Sequence, residues 1–317
     1  MERALKNKHW KALRATEKWE LYVTKKAGAT PAFFGCAIRR EPRYNYRMLR
    51  HEELNLRMAW AEQIVRAAGR IMREVAHSGD MGIRMKLDKT VVTEADKTIN
   101  DMLIARVSED FPQDGVLGEE ASANTDRDVL WVFDPIDDTK GYILGMTTAM
   151  SSLALCENGE PVVAAMYEPQ LDRMFTAIKD EGAFENGLPI RVSHQSSLEG
   201  AQIAFSPSFE QLMERHELYE SVVAAGAKLV PINGEAYRGS LTANGTVDAH
   251  LFPGRSAHDV AAVKLIVEEA GGRVTDLRGE EQKYNNKIYG AIVSNGLFHD
   301  QLVGLLNKFG PDNFLGY

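Results

Sequence analysis

WVFDPIDDTK occupies residues 131–140. Its apolar opening, Trp131-Val132-Phe133, has the character of a buried strand, so Asp134 is delivered to a strand end. Pro135 cannot donate to a sheet ladder and is expected to break it. Asp137, Asp138 and Thr139 then fall on a turn that opens a helix. Three carboxylates within five residues repel one another when ionised, and hard cations relieve that repulsion in a partly dehydrated loop. Mg²⁺ takes oxygen ligands of this kind. Asp134 and Asp137, three apart around a proline bend, can converge on one point, with the carbonyl of Ile136 facing the same way. The same letters also suit a solvated acidic turn that caps a helix, because Asp-Pro and Asp-Thr pairs are common turn chemistry.

Two other acidic segments bear on that choice. Gly118-Glu119-Glu120 follows the apolar pair Val116-Leu117, which predicts a strand presenting two glutamates at its end. By itself such a pair also reads as plain surface charge. Residues 258–272, HDVAAVKLIVEEAGG, predict a helix capped by Ser256 or His258, with Val260, Val263, Ile266 and Val267 on its apolar side. Asp259 lies in its first turn, where the helix dipole favours an anion and a metal ligand would be held rigidly. Helix-start chemistry alone also accounts for an acid there.

The remaining chain frames these segments. Helices are predicted over residues 52–77 and 94–111, the second capped by Thr93 and followed by a turn at 112–115. Short apolar runs at 116–117, 129–133, 151–156, 162–167, 201–205 and 291–294 predict strands, and Val274 adds another. Further helices are expected over 209–225, 256–270 and 299–308. Mixed strands and helices without a fixed-period repeat give an α/β fold of layered sheets covered by helices. At 317 residues and 44% hydrophobic content the chain can bury a large core, expected over residues 51–317 in halves of about 51–195 and 196–317.

Charge and composition exclude several classes. The net charge is −8, yet residues 1–47 carry 12 Lys+Arg against 4 Asp+Glu, or +8, which leaves −16 for the rest. Residues 1–50 therefore read as a basic N-terminal extension. The acidic body argues against nucleic acid as its partner and suits a site that collects divalent cations. Cys36 and Cys156 fit neither a disulfide framework nor a metal-ligand spacing, so a reducing cytoplasm is expected. No run of about 18 apolar residues occurs, and no membrane partner is expected.

In this order, GEE at 118–120, DPIDDT at 134–139, HD at 258–259 and EEAGG at 268–272 closely resemble the signatures of the inositol monophosphatase superfamily. VTEAD at 92–96, GAFENG at 182–187 and Gly239-Ser240 reinforce the resemblance, which covers residues 52–300. It implies a layered αβαβα sandwich of the inositol monophosphatase and fructose-1,6-bisphosphatase type. It implies a homodimeric Mg²⁺-dependent phosphomonoesterase using two or three ions. Carried over by position, Glu119, Asp134 and the Ile136 carbonyl would hold one Mg²⁺, and Asp134, Asp137 and Asp259 a second. Glu119 and Asp96 would position a third ion or its waters. Thr139 would accept a hydrogen bond from the attacking water while Glu119 orients it, which makes Glu119, Thr139 and Asp96 the catalytic candidates. Asp138, Thr139, Ser240 and Arg255 are the candidates for binding substrate, a small phosphorylated metabolite of the inositol monophosphate kind.

Two positions depart from the superfamily pattern: Asp138 stands where glycine is usual, and His258 where tryptophan is usual. An Asp138 carboxylate beside the phosphate site would repel substrate, or else act as an outer-sphere metal ligand. Lys140-Gly141-Tyr142 resembles the bisphosphate nucleotidase and histidinol-phosphate phosphatase branches, so histidinol phosphate and adenosine 3′,5′-bisphosphate stand as alternative substrates. A fold-retaining binding protein without turnover is the alternative of another class.

Overall fold

The computed structural model describes residues 43–87, 90–206, 216–310 and 315. The expected extension therefore lies mostly outside the described residues, as do residues 209–215 of one expected helix. Residues 60–317 group as one compact unit, and the described residues before them belong to another. Helix α1 (Arg43–His77) spans the boundary and starts nine residues earlier than its apolar periodicity suggests. Its first half is rich in charged residues and gains local support from pairs one turn apart, such as Arg57 Nε to Glu53 at 3.1 Å. A moderate apolar stripe is not needed where such pairs and good helix formers carry the turn.

After α1 comes a short hairpin of β1 (Arg84–Met85) and β2 (Val91–Val92), then α2 (Glu94–Asp110). Next are β3 (Gly115–Gly118), β4 (Val129–Asp137), the single-turn helix α3 (Thr139–Ile143), β5 (Met150–Glu157), β6 (Glu160–Glu168), β7 (Arg173–Ile178), β8 (Ala183–Glu185) and β9 (Leu188–Pro189). These seven strands form one sheet in sequence order, with β3 parallel to β4 and every later pair antiparallel. Then follow β10 (Gln202–Phe205), α4 (His216–Ala224), β11 (Lys228–Pro231), α5 (Glu235–Ala243), β12 (Ala249–Phe252), α6 (Ala257–Glu269), β13 (Arg273–Thr275), β14 (Ala291–Ser294) and α7 (His299–Phe309). The second sheet is ordered β11-β10-β12-β14-β13.

Helix α6 explains the layering. Its residues 260–267 are buried without interruption, which no one-faced surface helix would tolerate. It packs on β4 to β7 of the first sheet and on β13 and β14 of the second, and α5 lies against it. The two sheets thus enclose α5 and α6. Helix α2 covers β3 and β4 from the far side, and α4 and α7 cover the second sheet. Alternation of helix and sheet gives the five layers expected from the motif resemblance. On the outer side of the first sheet, Trp60, Phe111 and Trp131 meet ring to ring at 4.6–5.7 Å. Both indole N–H groups are satisfied, Trp60 by Asp110 and Trp131 by Asp114.

Candidate metal centre

Strand β4 does not stop at Pro135. It runs to Asp137, and its pairing with β5 shifts register between Asp134, opposite Ser152, and Asp137, opposite Met150. In a regular strand, residues three apart point to opposite faces. The bulge inserts one extra residue and turns both carboxylates to the same side. Proline fits there because a bulge needs no ladder donor. Asp134 Oδ1 accepts from the Ile136 amide at 3.0 Å, which fixes its rotamer.

Asp259 arrives from the first turn of α6, and carboxylate oxygens of Asp134, Asp137 and Asp259 all lie within 4.8 Å of one another. Asp134 and Asp137 are buried and Asp259 is half-buried. Among the described residues, none of the three is paired with lysine or arginine. Asp137 is instead held by the α5 N-terminus, whose Glu235 and Ala236 amides donate to it at 3.1 and 2.8 Å. Burial, then the charges of Glu119, Asp137 and Asp259, push the Asp134 carboxyl well above its ordinary range. Burial and the neighbouring acids do the same to Asp259. Asp137 is pushed up to about 7 by burial and by Glu235, against the two amides. Close, buried, mutually repelling oxygens without a cationic partner fit a hard divalent ion such as Mg²⁺.

Glu119 stands beside this group rather than within it. Its carboxylate faces Asp134 and receives the Lys86 ammonium at 2.7 Å, while Glu120 binds the same ammonium at 2.5 Å. Burial alone would lower the Lys86 pKa, but the hydrogen bonds and charges of both glutamates hold it above its usual value. Asp96 is buried beneath Thr139, accepting from the Thr93 amide and hydroxyl at 2.7 and 2.6 Å. Burial raises it to about 6, against the Thr93 hydrogen bonds. The Thr139 hydroxyl lies 3.3 Å from Asp96 Oδ1 and 3.1 Å from the Ile136 carbonyl, so its proton is directed inward and its lone pairs outward. Asp96, Glu119, Asp134, Ile136, Asp137, Thr139 and Asp259 are thus gathered in one place.

The Asp138 side chain is engaged within its own turn and the loop that follows it. Its backbone is left-handed, φ 63° and ψ 55°, a conformation that aspartate tolerates and that glycine would adopt without strain. Its carboxylate folds back to accept from the Gly141 amide at 3.0 Å and the Thr148 hydroxyl at 2.5 Å. It caps α3. A Cβ at Gly141 would fall 2.1 Å from that carboxylate, so glycine is required there. Asp138→Ala loses a cap and adds a left-handed penalty, about 2 kcal/mol together, whereas Asp138→Gly loses only the cap, about 1 kcal/mol. Urea unfolding midpoints are expected in the order wild type, Gly, Ala.

The other assignments divide. Ser240 is buried inside α5 with its hydroxyl donating to the Tyr237 carbonyl at 2.7 Å, so that group is already engaged within the helix. Arg255 is exposed on the loop before α6. His258 is half-buried at the α6 start, with burial lowering its pKa, and its Nε2 lies 3.8 Å from Asp259, beyond hydrogen-bond range. Sequence reasoning missed Lys86, Thr148 and the α5 N-terminus, because no local pattern marks residues that reach the acids only through the tertiary fold.

Comparison with known proteins accords with this geometry. Residues 54–309 match the family model described as inositol monophosphatase family. A fructose-1,6-bisphosphatase/inositol-1-monophosphatase of Thermotoga maritima is 34% identical over 226 residues, 69% of this chain and 84% of that protein. A histidinol-phosphatase of Mycobacterium tuberculosis is 33% identical over 263 residues, 81% and 98% of the two chains. A solved Thermotoga maritima IMPase superposes with a TM-score of 0.72 at 29% identity, covering 81% of this chain and 99% of that one. The chain therefore belongs to the inositol monophosphatase family of phosphoric monoester hydrolases.

Proposed function

We propose that this protein is a Mg²⁺-dependent phosphomonoesterase that releases phosphate from a small phosphorylated metabolite by attack of water. The observation that carries this reading is the convergence of buried Asp134 and Asp137 with half-buried Asp259 within 4.8 Å, without a cationic side chain among them. Asp134, Asp137 and Asp259, with Glu119 and the Ile136 carbonyl, would hold the ions. When bound, Mg²⁺ supplies Lewis-acid polarisation of the phosphate and a lowered water pKa. Thr139 accepts a hydrogen bond from the attacking water, and Asp96 fixes the hydroxyl that does so. Glu119 orients the same water from the side held by Lys86. The backbone amides that open α3 donate to phosphate oxygens, on a turn kept in shape by the Asp138 cap.

The Asp138 carboxylate is turned onto Gly141 and Thr148, which favours an active enzyme over a binding protein crippled by that residue. Inositol 1-phosphate is the first substrate to test. Histidinol phosphate stands as a second reading because of the similarity to the Mycobacterium tuberculosis histidinol-phosphatase over 98% of its length. Phosphate release from inositol 1-phosphate, histidinol phosphate and adenosine 3′,5′-bisphosphate separates them. No release from any of the three with Mg²⁺ would reject the small-metabolite reading.

Stability should follow the same carboxylates. Their folded-state pKa values are raised, so the metal-free fold is favoured below the ordinary carboxylate range near 4 and loses stability as pH rises through about 7. In chelator, Tm is expected to be lower at pH 8 than at pH 5.5. Mg²⁺ should raise Tm more at pH 8, where it binds the ionised acids. Equal Mg²⁺ effects at both pH values would contradict the assignment.

A further inference from the structure

Helix α1 presents Arg66, Arg70 and Arg73 at intervals of four and three residues, which puts them on one face. With Tyr167, Pro169 and Asp172 they line an open cleft of about 420 Å³. None of these residues belongs to the metal centre. The cleft exists because of Gly69: a Cβ there would lie 2.5 Å from the Tyr167 ring and 3.0 Å from Pro169, so only glycine lets the helix seat against the β6–β7 turn.

Its walls hold the guanidinium groups in defined places. Arg66 lies over the Tyr167 ring, 5.1 Å from its centroid, and pairs with Asp172 at 3.0 Å. The Tyr167 hydroxyl donates to the same Asp172 oxygen at 2.7 Å. Arg73 donates to the Pro169 carbonyl at 2.7 Å, and its charge also acts on the Asp172 and Glu168 carboxylates, favouring their ionised forms. Arg70 is exposed and has no carboxylate partner among the described residues. Glu168, the other acid of the turn, is turned inward and accepts from the Gln170 and Leu171 amides at 2.7 and 2.8 Å. Three guanidinium groups thus face one carboxylate in the lining, in a chain whose residues 48–317 sum to −16. Like charges one turn apart on a helix repel, and an anion in the cleft relieves that repulsion.

We propose that this cleft binds a multiply charged phosphate anion, separate from the substrate. Arginine's planar fork matches phosphate oxygens in pairs, and three guanidinium groups beside the one carboxylate of the lining favour a multiply charged anion. The open cleft has room for a pyrophosphate-sized group. A long polyanion is disfavoured because the net charge of −16 on residues 48–317 would repel its continuation.

Calorimetric titration of the full chain with pyrophosphate, in chelator and low salt, tests the proposal. Without metal, the carboxylates at the centre repel phosphate, so binding reports the cleft. One site is expected, at least tenfold weaker in Arg70→Gln and weakened by added salt. Glutamine keeps the helix propensity at this exposed position, and phosphatase turnover of Arg70→Gln should equal wild type. Inorganic phosphate should bind more weakly than pyrophosphate. Unchanged affinity in Arg70→Gln, or no saturable binding by the wild type, would overturn the proposal. So would Arg70-dependent sedimentation with phosphatidic acid vesicles in the absence of pyrophosphate binding, which would assign the cleft to a membrane headgroup.

Discussion

Asp134→Asn is expected to lower phosphatase turnover by at least tenfold, a barrier increase above about 1.4 kcal/mol, while the metal-free protein becomes more stable. The two effects share one cause. Asp134 sits on the bulge of β4 where it faces Asp137, Asp259 and Glu119, and burial with those charges raises its pKa. An ionised carboxylate there is costly without a cation and valuable with one. Asparagine keeps the size and an oxygen that can accept from the Ile136 amide, but removes the charge. Thermal unfolding in chelator at pH 8 should show a higher Tm for the variant, and Mg²⁺ should no longer raise it as far. Turnover above a tenth of wild type would contradict the role of Asp134, and an unchanged Tm in chelator would contradict the electrostatic cost.

Glu235→Leu is expected to destabilise the fold by about 3–5 kcal/mol. The Glu235 carboxylate is buried, pairs closely with Arg238 and accepts from His250 Nε2 at 2.6 Å. Burial pushes its pKa up, but the His250 and Arg238 charges and hydrogen bonds outweigh that and bring it down to about 2. Removing it leaves the buried Arg238 guanidinium with the Ile232 carbonyl as its remaining acceptor. The loss corresponds to a Tm decrease on the order of 10 °C. Because this folded-state pKa is depressed, the native pair stabilises the fold above the ordinary glutamate pKa and is lost as pH falls toward 2. The variant's deficit should therefore shrink in acid. Mg²⁺ affinity should fall as well, since the Glu235 and Ala236 amides hold Asp137. A variant as stable as wild type at pH 7 would contradict this account of the buried pair.

What was legible in the sequence was local. Each acidic segment lies within a few residues of the strand or helix that presents it, so periodicity and turn chemistry marked Asp134, Asp137 and Asp259 as candidates, and the motif resemblance joined them into one ligand set. Helix α6 was legible for the same reason. The β4 bulge was not, because Pro135 after an apolar run reads equally as the end of a strand. The fold-back of Asp138 depends on Thr148, ten residues away across a loop, and a carboxylate next to a metal motif looks like a participant until its partner is known. Lys86 and the Glu235 network lie 33 and about 100 residues from the acids they serve. Strands β1, β2, β8, β9, β11 and β12 escaped notice because they are short, and β9 and β11 lack buried residues to mark them.

Phosphate release by the full chain in chelator, followed by titration with Mg²⁺, tests the carboxylate centre most directly. The expected result is no release before Mg²⁺ and recovery on its addition, with more than one ion bound per chain by calorimetry. Full turnover in chelator would contradict the assignment of Asp134, Asp137 and Asp259 as the metal-holding core of the enzyme.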